Sequence, residues 1–314
     1  MPSRRSSPHF ALKRVSAGVH AAIAEPAGSG LCNSTIVDLG GQTLVFDSML
    51  TPMAGRALAR AAERITGRRP AWVVNSHWHG DHIWGNASFP EAHVVSTRKV
   101  REVILRRSRK QFEDNRRQFP AELLAIGAPD SPIAQVDRPD LRAWFRGVLR
   151  IPLPFRIVPP EVTFRDELVL EGSRRSVHLL SFGGGHSPSD VIGWLPEERI
   201  LLAGDLLMVG LHPSIGNGWP DRWVRILRQI ERLHPEQIVP GHGALGTFPT
   251  VRKNREYLED LEGIARDAVR RRIPLQEYLK MPIPRPYRQW RFAFMYPENL
   301  IRAYQLAKAR SGHT

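Results

Sequence analysis

Residues 77–82 read His77-Trp78-His79-Gly80-Asp81-His82. They directly follow residues 71–75, a short apolar run whose composition predicts a β-strand. Three imidazoles and one carboxylate within six residues are costly to bury unless something satisfies them. Imidazole nitrogens and carboxylate oxygens are ligands that zinc prefers. On a bend after a strand, His77 and His79 can face one side while Asp81 and His82 face another, which predicts two adjacent metal sites.

Three further residues of the same chemistry stand at the ends of predicted strands. His186 follows the three glycines at 183–185, and Asp205 follows the apolar run 201–204. His242 lies in the sequence Pro-Gly-His-Gly after the short run 237–239. A buried carboxylate without a partner is strongly unfavourable, so a cation is the simplest explanation for Asp205. Because residues of metal-ligand type stand at the ends of three predicted strands, we expect all three to join the 77–82 segment in one metal centre.

This series of residues resembles the signature of the metallo-β-lactamase superfamily over roughly residues 30–245. The resemblance implies an α+β protein with the four-layer αββα sandwich of that family and metals at one edge, between two sheets. It implies two Zn²⁺ ions, with iron or manganese as alternatives. The resemblance also implies the ligands of each metal: His77, His79 and His186 hold the first, Asp81, His82 and His242 hold the second, and Asp205 bridges both. Asp47 stands where the family usually has Asp-Thr-Gly, and the motif is only partly kept.

The departures from the family pattern indicate a subfamily. Penicillin-hydrolysing members lack the bridging carboxylate, so Asp205 favours similarity to glyoxalase II and to the quinoprotein-relay zinc hydrolases. The implied activity is that of a metal-dependent hydrolase, in which a metal-bridging hydroxide attacks a carbonyl of a small ester, thioester or lactone-type substrate. Asp81 and Asp205 are the expected catalytic carboxylates, and the net charge of the centre favours an anionic substrate. A phosphodiesterase or nuclease of the same fold, and a persulfide dioxygenase-like iron enzyme, stay open as alternatives.

The charge balance is the unusual feature of the composition. Lys and Arg number 45 against 31 Asp and Glu, which gives a formal net charge of +14. Such an excess is typical of nucleic-acid binding, and equally of a preference for arginine as the surface cation. Residues 98–117 form a predicted basic helix that follows the metal-binding loop by one strand. We expect it to lie over the metals as a lid that steers small anionic substrates, the alternative being a solvated helix. A nucleic-acid partner is therefore not favoured, although it stays open.

Domain organisation follows from the alternation of strands and helices. The expected units are an N-terminal segment (1–30), a metallo-β-lactamase-like domain (31–245) with a helical and Pro-rich insertion (98–160), and a C-terminal helical extension packed on that domain (246–314). Glycines 40 and 41 predict a hairpin, and helices are predicted over 53–66, 220–233, 251–272 and 298–308.

Other expectations concern substrate contacts, partners and location. Trp78, Trp84 and His212 are candidate substrate-binding residues because they stand near the ligands in sequence. One cysteine, Cys32, rules out an internal disulfide. No run of ~18 apolar residues and no signal-peptide pattern occurs, which favours a cytoplasmic protein without a membrane partner. We expect a small-molecule substrate, with a homodimer contact open in the Pro-rich region 281–286.

Overall fold

The computed structural model describes residues 7–127 and 139–311 and contains two β-sheets. The first sheet has seven strands in chain order, antiparallel from β1 to β4 and parallel from β4 to β7. They are β1 (Phe10–Ser16), β2 (Val19–Ala24), β3 (Ser34–Asp38), β4 (Thr43–Phe46), β5 (Trp72–Val74), β6 (His93–Thr97) and β7 (Val162–Phe164). Pairing of β3 with β4 confirms the hairpin predicted at the two glycines.

The second sheet has five strands. They are β8 (Glu167–Glu171), β9 (Ser176–Leu180), β10 (Ile192–Leu195), β11 (Ile200–Val209) and β12 (Gln237–Gly243). Neighbours from β8 to β11 are antiparallel, whereas β11 and β12 are parallel. A parallel pair needs a crossover connection, and here a helix between the two strands supplies it.

Helices cover the outer faces of both sheets. The helices are α1 (Pro52–Thr66), α2 (Gly80–Ile83), α3 (Arg98–Val103), α4 (Arg109–Gly127), α5 (Pro139–Leu149), α6 (Pro220–Leu233), α7 (Phe248–Arg270), α8 (Leu275–Tyr278) and α9 (Met295–Ser311). One apolar cluster lies between the two sheets, a second lies between α1 and the first sheet, and a third joins the second sheet to α6, α7 and α9. The order helix, sheet, sheet, helix is the four-layer α+β sandwich that the sequence predicts.

Residues 10–24 extend the sandwich beyond the boundary that the sequence suggested. The expected N-terminal segment of residues 1–30 contains β1 and β2, which pair with each other and with β3. Their periodicity is hard to recognise because the pairing shifts between Arg14 and Ser16, which breaks the alternation of buried and exposed side chains. Residues 1–6 of that segment lie outside the described part of the chain.

The insertion packs on the sandwich through its own apolar cluster. Helices α3, α4 and α5 surround Trp78 and Trp84, with Phe112 and Phe145 among the buried partners. The predicted basic helix of residues 98–117 is not a regular α-helix, since residues 104–108 form a π-turn between α3 and α4. Residues 128–138 of the insertion and residues 312–314 of the extension lie outside the described residues. No helix within the described ranges is both long and apolar enough to cross a membrane.

Asn33 ties the two sheets together at one edge. Its backbone N–H donates to the carbonyl of Gly241, 2.7 Å away. Its side-chain Nδ2 donates to the carbonyls of Pro240 and Gly243, each at 2.9 Å. The start of β3 in the first sheet is thereby fixed to β12 in the second, directly beside His242.

Candidate metal centre

The seven predicted ligands converge at the edge where the two sheets meet. The 77–82 segment leaves the end of β5 and turns into α2, while His186 lies in the loop between β9 and β10. Asp205 lies inside β11 rather than after a strand, which corrects the sequence expectation. The pairing of β11 with β12 is irregular between Leu202 and Met208, so this part of β11 departs from the regular ladder. His242 lies likewise within β12.

The first donor group consists of three imidazoles and one carboxylate. Nδ1 of His79 lies 2.9 Å from Nε2 of His77 and 3.1 Å from Nε2 of His186. Oδ2 of Asp205 lies 3.5 Å from Nε2 of His186 and 3.9 Å from Nε2 of His77. Four donors placed tetrahedrally ~2.0–2.2 Å from one zinc ion lie ~3.3–3.6 Å from one another. The spacing of this group therefore suits a single ion.

The second donor group is formed by Asp81, His82 and His242. Oδ2 of Asp81 lies 3.5 Å from Nε2 of His82 and 3.3 Å from Nε2 of His242. Oδ1 of Asp205 approaches the same two nitrogens, at 3.2 Å and 3.3 Å. The two oxygens of Asp205 thus face different donor groups, which is the placement that a bridging ligand requires.

Buried polar atoms without hydrogen-bond partners support a metal at this place. Nε2 of His82 and Oδ1 of Asp205 are both buried, and although they lie 3.2 Å apart, neither is in hydrogen-bond geometry with a partner among the described residues. Such atoms cost free energy unless something satisfies them, and both of them point into the second group. The donor set therefore fits a pair of bound cations.

Charge differs between the two groups. Burial lowers the pKa of His77 well below its usual value and that of His79 to about 3, so both imidazoles are neutral, the form that coordinates a metal. Burial also opposes protonation of His242, but Asp205 and Asp81 outweigh it and raise its pKa to about 10. The two carboxylates stabilise a positive charge in the second group, whether a proton or a metal ion carries it.

Asp47 is a residue that the sequence analysis noted without giving it a role. Its Oδ2 lies 2.7 Å from Nδ1 of His82 and accepts a hydrogen bond from the Ser76 hydroxyl at 2.8 Å. Its Oδ1 accepts from the Ser76 backbone N–H, also at 2.8 Å. Because Nδ1 of His82 donates to Asp47, Nε2 is free to face the second group. Asp47 is thus a positioning residue for His82.

Replacing Asp47 with asparagine is expected to weaken the second metal ~10–100-fold, the usual cost of removing such a partner. Asparagine offers one acceptor oxygen where aspartate offers two, so it cannot accept from both the Ser76 backbone N–H and Nδ1 of His82, and the fixed orientation of the ring is weakened. Competition with a chromophoric chelator measures the affinity. Asp38→Asn is the matched control, since that buried carboxylate stands at the other end of β3 and pairs with Arg174, in the connection between β8 and β9. Equal metal affinity of Asp47→Asn and the wild type would contradict the assignment.

Asp190 holds the loop that carries His186. One carboxylate oxygen of Asp190 accepts from the backbone N–H groups of Gly185, at 2.8 Å, and Ser187, at 3.1 Å. These bonds flank His186 on both sides and set the direction of its side chain. A buried aspartate four residues after a ligand is the signal that could have indicated this role in the sequence.

The three predicted substrate contacts occupy different environments. Trp78 packs in the apolar cluster of the insertion and is not among the described residues that line the metal pocket. Trp84 reaches the pocket wall, but it is buried and its indole N–H donates to the Ser108 hydroxyl at 3.2 Å. His212 also lines the pocket, and its Nδ1 lies 2.9 Å from the Tyr257 hydroxyl. Burial lowers the pKa of His212 to about 4, so the ring is neutral.

The pocket beside the donor groups has a volume of about 220 Å³ and a largely apolar wall. The insertion contributes Gln111, Asn115, Leu141 and Trp144, and the region before and at the start of α9 contributes Phe292, Phe294 and Met295. None of the lining residues that the structure describes is Lys or Arg. The expected steering of anions by the 98–117 segment therefore has no support in the pocket wall itself.

Arginines of the insertion contact its own backbone instead. The guanidinium of Arg116 donates to the carbonyls of Val148, Leu149 and Ile151, at 2.9–3.1 Å. That of Arg109 donates to the carbonyl of Phe155 at 2.9 Å. Part of the basic charge in residues 98–117 thus caps the end of α5 and the Pro-rich connector.

Comparison with known proteins identifies the family of the chain. A family model described as the metallo-beta-lactamase superfamily matches residues 27–242, which is more than half of the chain. The chain belongs to the metallo-beta-lactamase superfamily. Homologues in this superfamily are metal-dependent hydrolases, the class of enzyme that the donor set supports.

Two curated proteins are similar to parts of the chain. A metallo-beta-lactamase type 2 from Bacteroides fragilis is 33% identical over 104 residues, covering 32% of this chain and 42% of that protein. A linear primary-alkylsulfatase from Pseudomonas sp. (strain ATCC 19151) is 24% identical over 209 residues, covering 63% of this chain and 37% of that protein. The chain thus spans less than half the length of these curated relatives.

Solved structures of superfamily members share the fold. The DIM-1 metallo-beta-lactamase superposes with a TM-score of 0.58 at 17% identity, covering 81% of this chain and 98% of that one. A metallo-beta-lactamase from Pontibacter korlensis gives a TM-score of 0.58 at 16% identity, with 80% and 99% coverage. At this identity the likeness establishes the architecture and leaves the substrate open.

Proposed function

We propose that the protein is a dinuclear zinc-dependent hydrolase that cleaves small esters, thioesters or lactones. The observation that carries the proposal is the placement of Asp205, with one oxygen towards each donor group. His77, His79 and His186 would hold one ion, Asp81, His82 and His242 would hold the other, and Asp205 would contact both. When bound, the two ions would lower the pKa of water to near neutrality and polarise the substrate carbonyl.

The residues of the chain position the reactants in this proposal. Asp81 has a side chain 16% exposed, against 6% for Asp205, and it lines the pocket. It is therefore the carboxylate that can accept a hydrogen bond from the attacking water. Asp47 and Asp190 keep His82 and His186 directed at the centre through the hydrogen bonds described above. No side-chain nucleophile is needed, since water attacks the carbonyl directly.

The pocket wall points to the kind of acyl group. Apart from the predicted metal donors, most residues that line the pocket are leucine, methionine or aromatic side chains, which favour an apolar group by burial. Its polar members outside the donor groups and His212 are the neutral Gln111, Asn115, Ser214 and Asn217. We therefore propose a neutral, apolar acyl group in place of the anionic group expected from charge alone.

The test combines metal quantification with a matched pair of substrates. We expect about two zinc ions per chain, and faster hydrolysis of the butyryl than of the succinyl thioester of N-acetylcysteamine. The two acyl chains are similar in length and differ mainly in the terminal carboxylate. Each added methylene is worth up to ~0.8 kcal/mol, so kcat/KM should rise up to ~4-fold per carbon from acetyl to butyryl.

Several outcomes would overturn the proposal. Faster hydrolysis of the succinyl thioester would show that the enzyme prefers an anionic acyl group. Hydrolysis of phosphodiesters but of no carbonyl substrate would identify a phosphodiesterase or nuclease. One bound iron with oxygen consumption would identify a persulfide dioxygenase-like enzyme.

A further inference from the structure

A second cavity lies on the other side of α5 from the metal pocket. It has a volume of about 660 Å³, within the ~300–1,000 Å³ range of small-molecule sites. Its wall includes Arg56 of α1, Arg142 and Arg146 of α5, and Arg150 just after α5. We call it the basic cavity. None of the described residues that line it is Asp or Glu.

The arginines of α5 share one side of the helix. Arg142, Arg146 and Arg150 are spaced by four residues, so they project along the same face. Leu141 and Trp144, on another face of the same helix, line the metal pocket. Helix α5 therefore separates an apolar pocket from a basic one.

Helix stability alone does not explain this cluster. Arg146 and Arg150 stand at the C-terminal end of α5, where cations interact favourably with the helix dipole. Arg56, however, is the fifth residue of α1, near the end where a cation is unfavourable, and the first turn of α1 has no acidic residue. In the described part of the chain, the structure records no ion pair for Arg56, Arg146 or Arg150. An anion between these guanidinium groups would relieve their mutual repulsion.

Polar groups complete the floor of the basic cavity. The Ser29 hydroxyl lies 3.0 Å from Nδ1 of His9 and 3.1 Å from the Thr51 hydroxyl. All three residues line the cavity. Hydroxyls beside several guanidinium groups are typical of sites that bind phosphate oxygens, and the planar guanidinium can bind phosphate through two parallel hydrogen bonds.

We propose that the basic cavity binds a small molecule that carries two or more phosphate groups. Several guanidinium groups around one open cavity suit a compact polyanion better than a single carboxylate. This site is independent of the hydrolase activity proposed above and does not rest on it.

Titration with inorganic triphosphate by calorimetry, in 150 mM salt and on the metal-loaded protein, tests the site. We expect saturable binding of one triphosphate per chain and at least ~10-fold weaker binding in Arg146→Ala/Arg150→Ala. Both side chains are exposed, so this variant is expected to fold. Arg232→Ala/Arg266→Ala is the matched control, because it removes the same charge from exposed positions on α6 and α7.

Binding to the metal centre is distinguished by Asp205→Asn, which is expected to bind triphosphate as the wild type does. Loss of triphosphate binding in Asp205→Asn would place the anion at the metals and overturn the proposal. If both arginine double variants bound triphosphate equally weakly, the effect would come from the net charge of the protein and not from this cavity. Absence of saturable triphosphate binding would also refute the site. Displacement of triphosphate by a short DNA or RNA duplex at lower concentration would identify a nucleic-acid surface instead.

Discussion

Asp205→Asn is expected to lower kcat/KM for the hydrolysed substrate by ~10³-fold or more and to leave less than two metal ions bound per chain. The amide keeps the shape of the carboxylate but removes its charge, and its nitrogen cannot serve as a metal ligand. One of the two donor groups then loses its contact with residue 205. Lewis-acid stabilisation of the transition state is worth several kcal/mol, which corresponds to ~10³-fold in rate.

The measurement is steady-state kinetics together with metal analysis of the dialysed protein. Asp166→Asn is the matched control, because its side chain is 79% exposed, stands between β7 and β8 and belongs to neither donor group. The control should retain wild-type metal content and activity. If Asp205→Asn kept two ions and full activity, the bridging assignment would be wrong.

Trp84→Ala is expected to lower the free energy of unfolding by ~3–5 kcal/mol, the usual cost of truncating a buried tryptophan. The indole is 1% exposed and lies among the side chains of the insertion. Its ring packs edge-on against Phe112, with ring centroids 5.2 Å apart, and against Phe155 at 6.1 Å. Removing it leaves a cavity between α2 and the insertion, which these contacts join.

A graded series separates this structural role from the substrate contact that the sequence suggested. Trp84→Phe keeps an aromatic ring but leaves the Ser108 hydroxyl without the indole donor, so a smaller loss of stability is expected. Chemical denaturation measures both variants, and Trp72→Ala, at a partly exposed indole in β5, provides the comparison. Unchanged stability of Trp84→Ala with a raised KM would instead identify Trp84 as a substrate contact.

Much of the sandwich follows from local patterns. Helix α6 has the apolar spacing of an amphipathic helix, and β3, β4 and β5 are short runs of β-forming residues that are almost entirely buried. The family signature also identified seven residues that the structure places in two neighbouring groups of donor atoms. Such a signature is informative because its residues are chemically costly to bury for any other purpose.

Features that depend on long-range contacts could not be read in the same way. The role of Asp47 depends on a hydrogen bond to His82, which is 35 residues away, and on Ser76. Phe292 and Leu141 meet at the pocket only after the extension and the insertion have both packed on the sandwich. Net charge did not predict the chemistry of the metal pocket either. The arginines of α4 donate to backbone carbonyls, and those of α5 line the basic cavity.

The position of the donor groups has a consequence for the order of events in folding. The 77–82 segment follows β5 of the first sheet, whereas His186 lies in the loop between β9 and β10 of the second sheet, and Asp205 and His242 lie in its strands β11 and β12. A complete set of ligands therefore exists only after the two sheets have packed together. Bound metal would stabilise that packing because its ligands come from both sheets. Since the metal binds the packed state alone, its binding free energy adds to the stability of that state, by ~4 kcal/mol at a thousandfold excess over the dissociation constant. The hydrogen bonds of Asn33 join the two sheets at the same edge without metal.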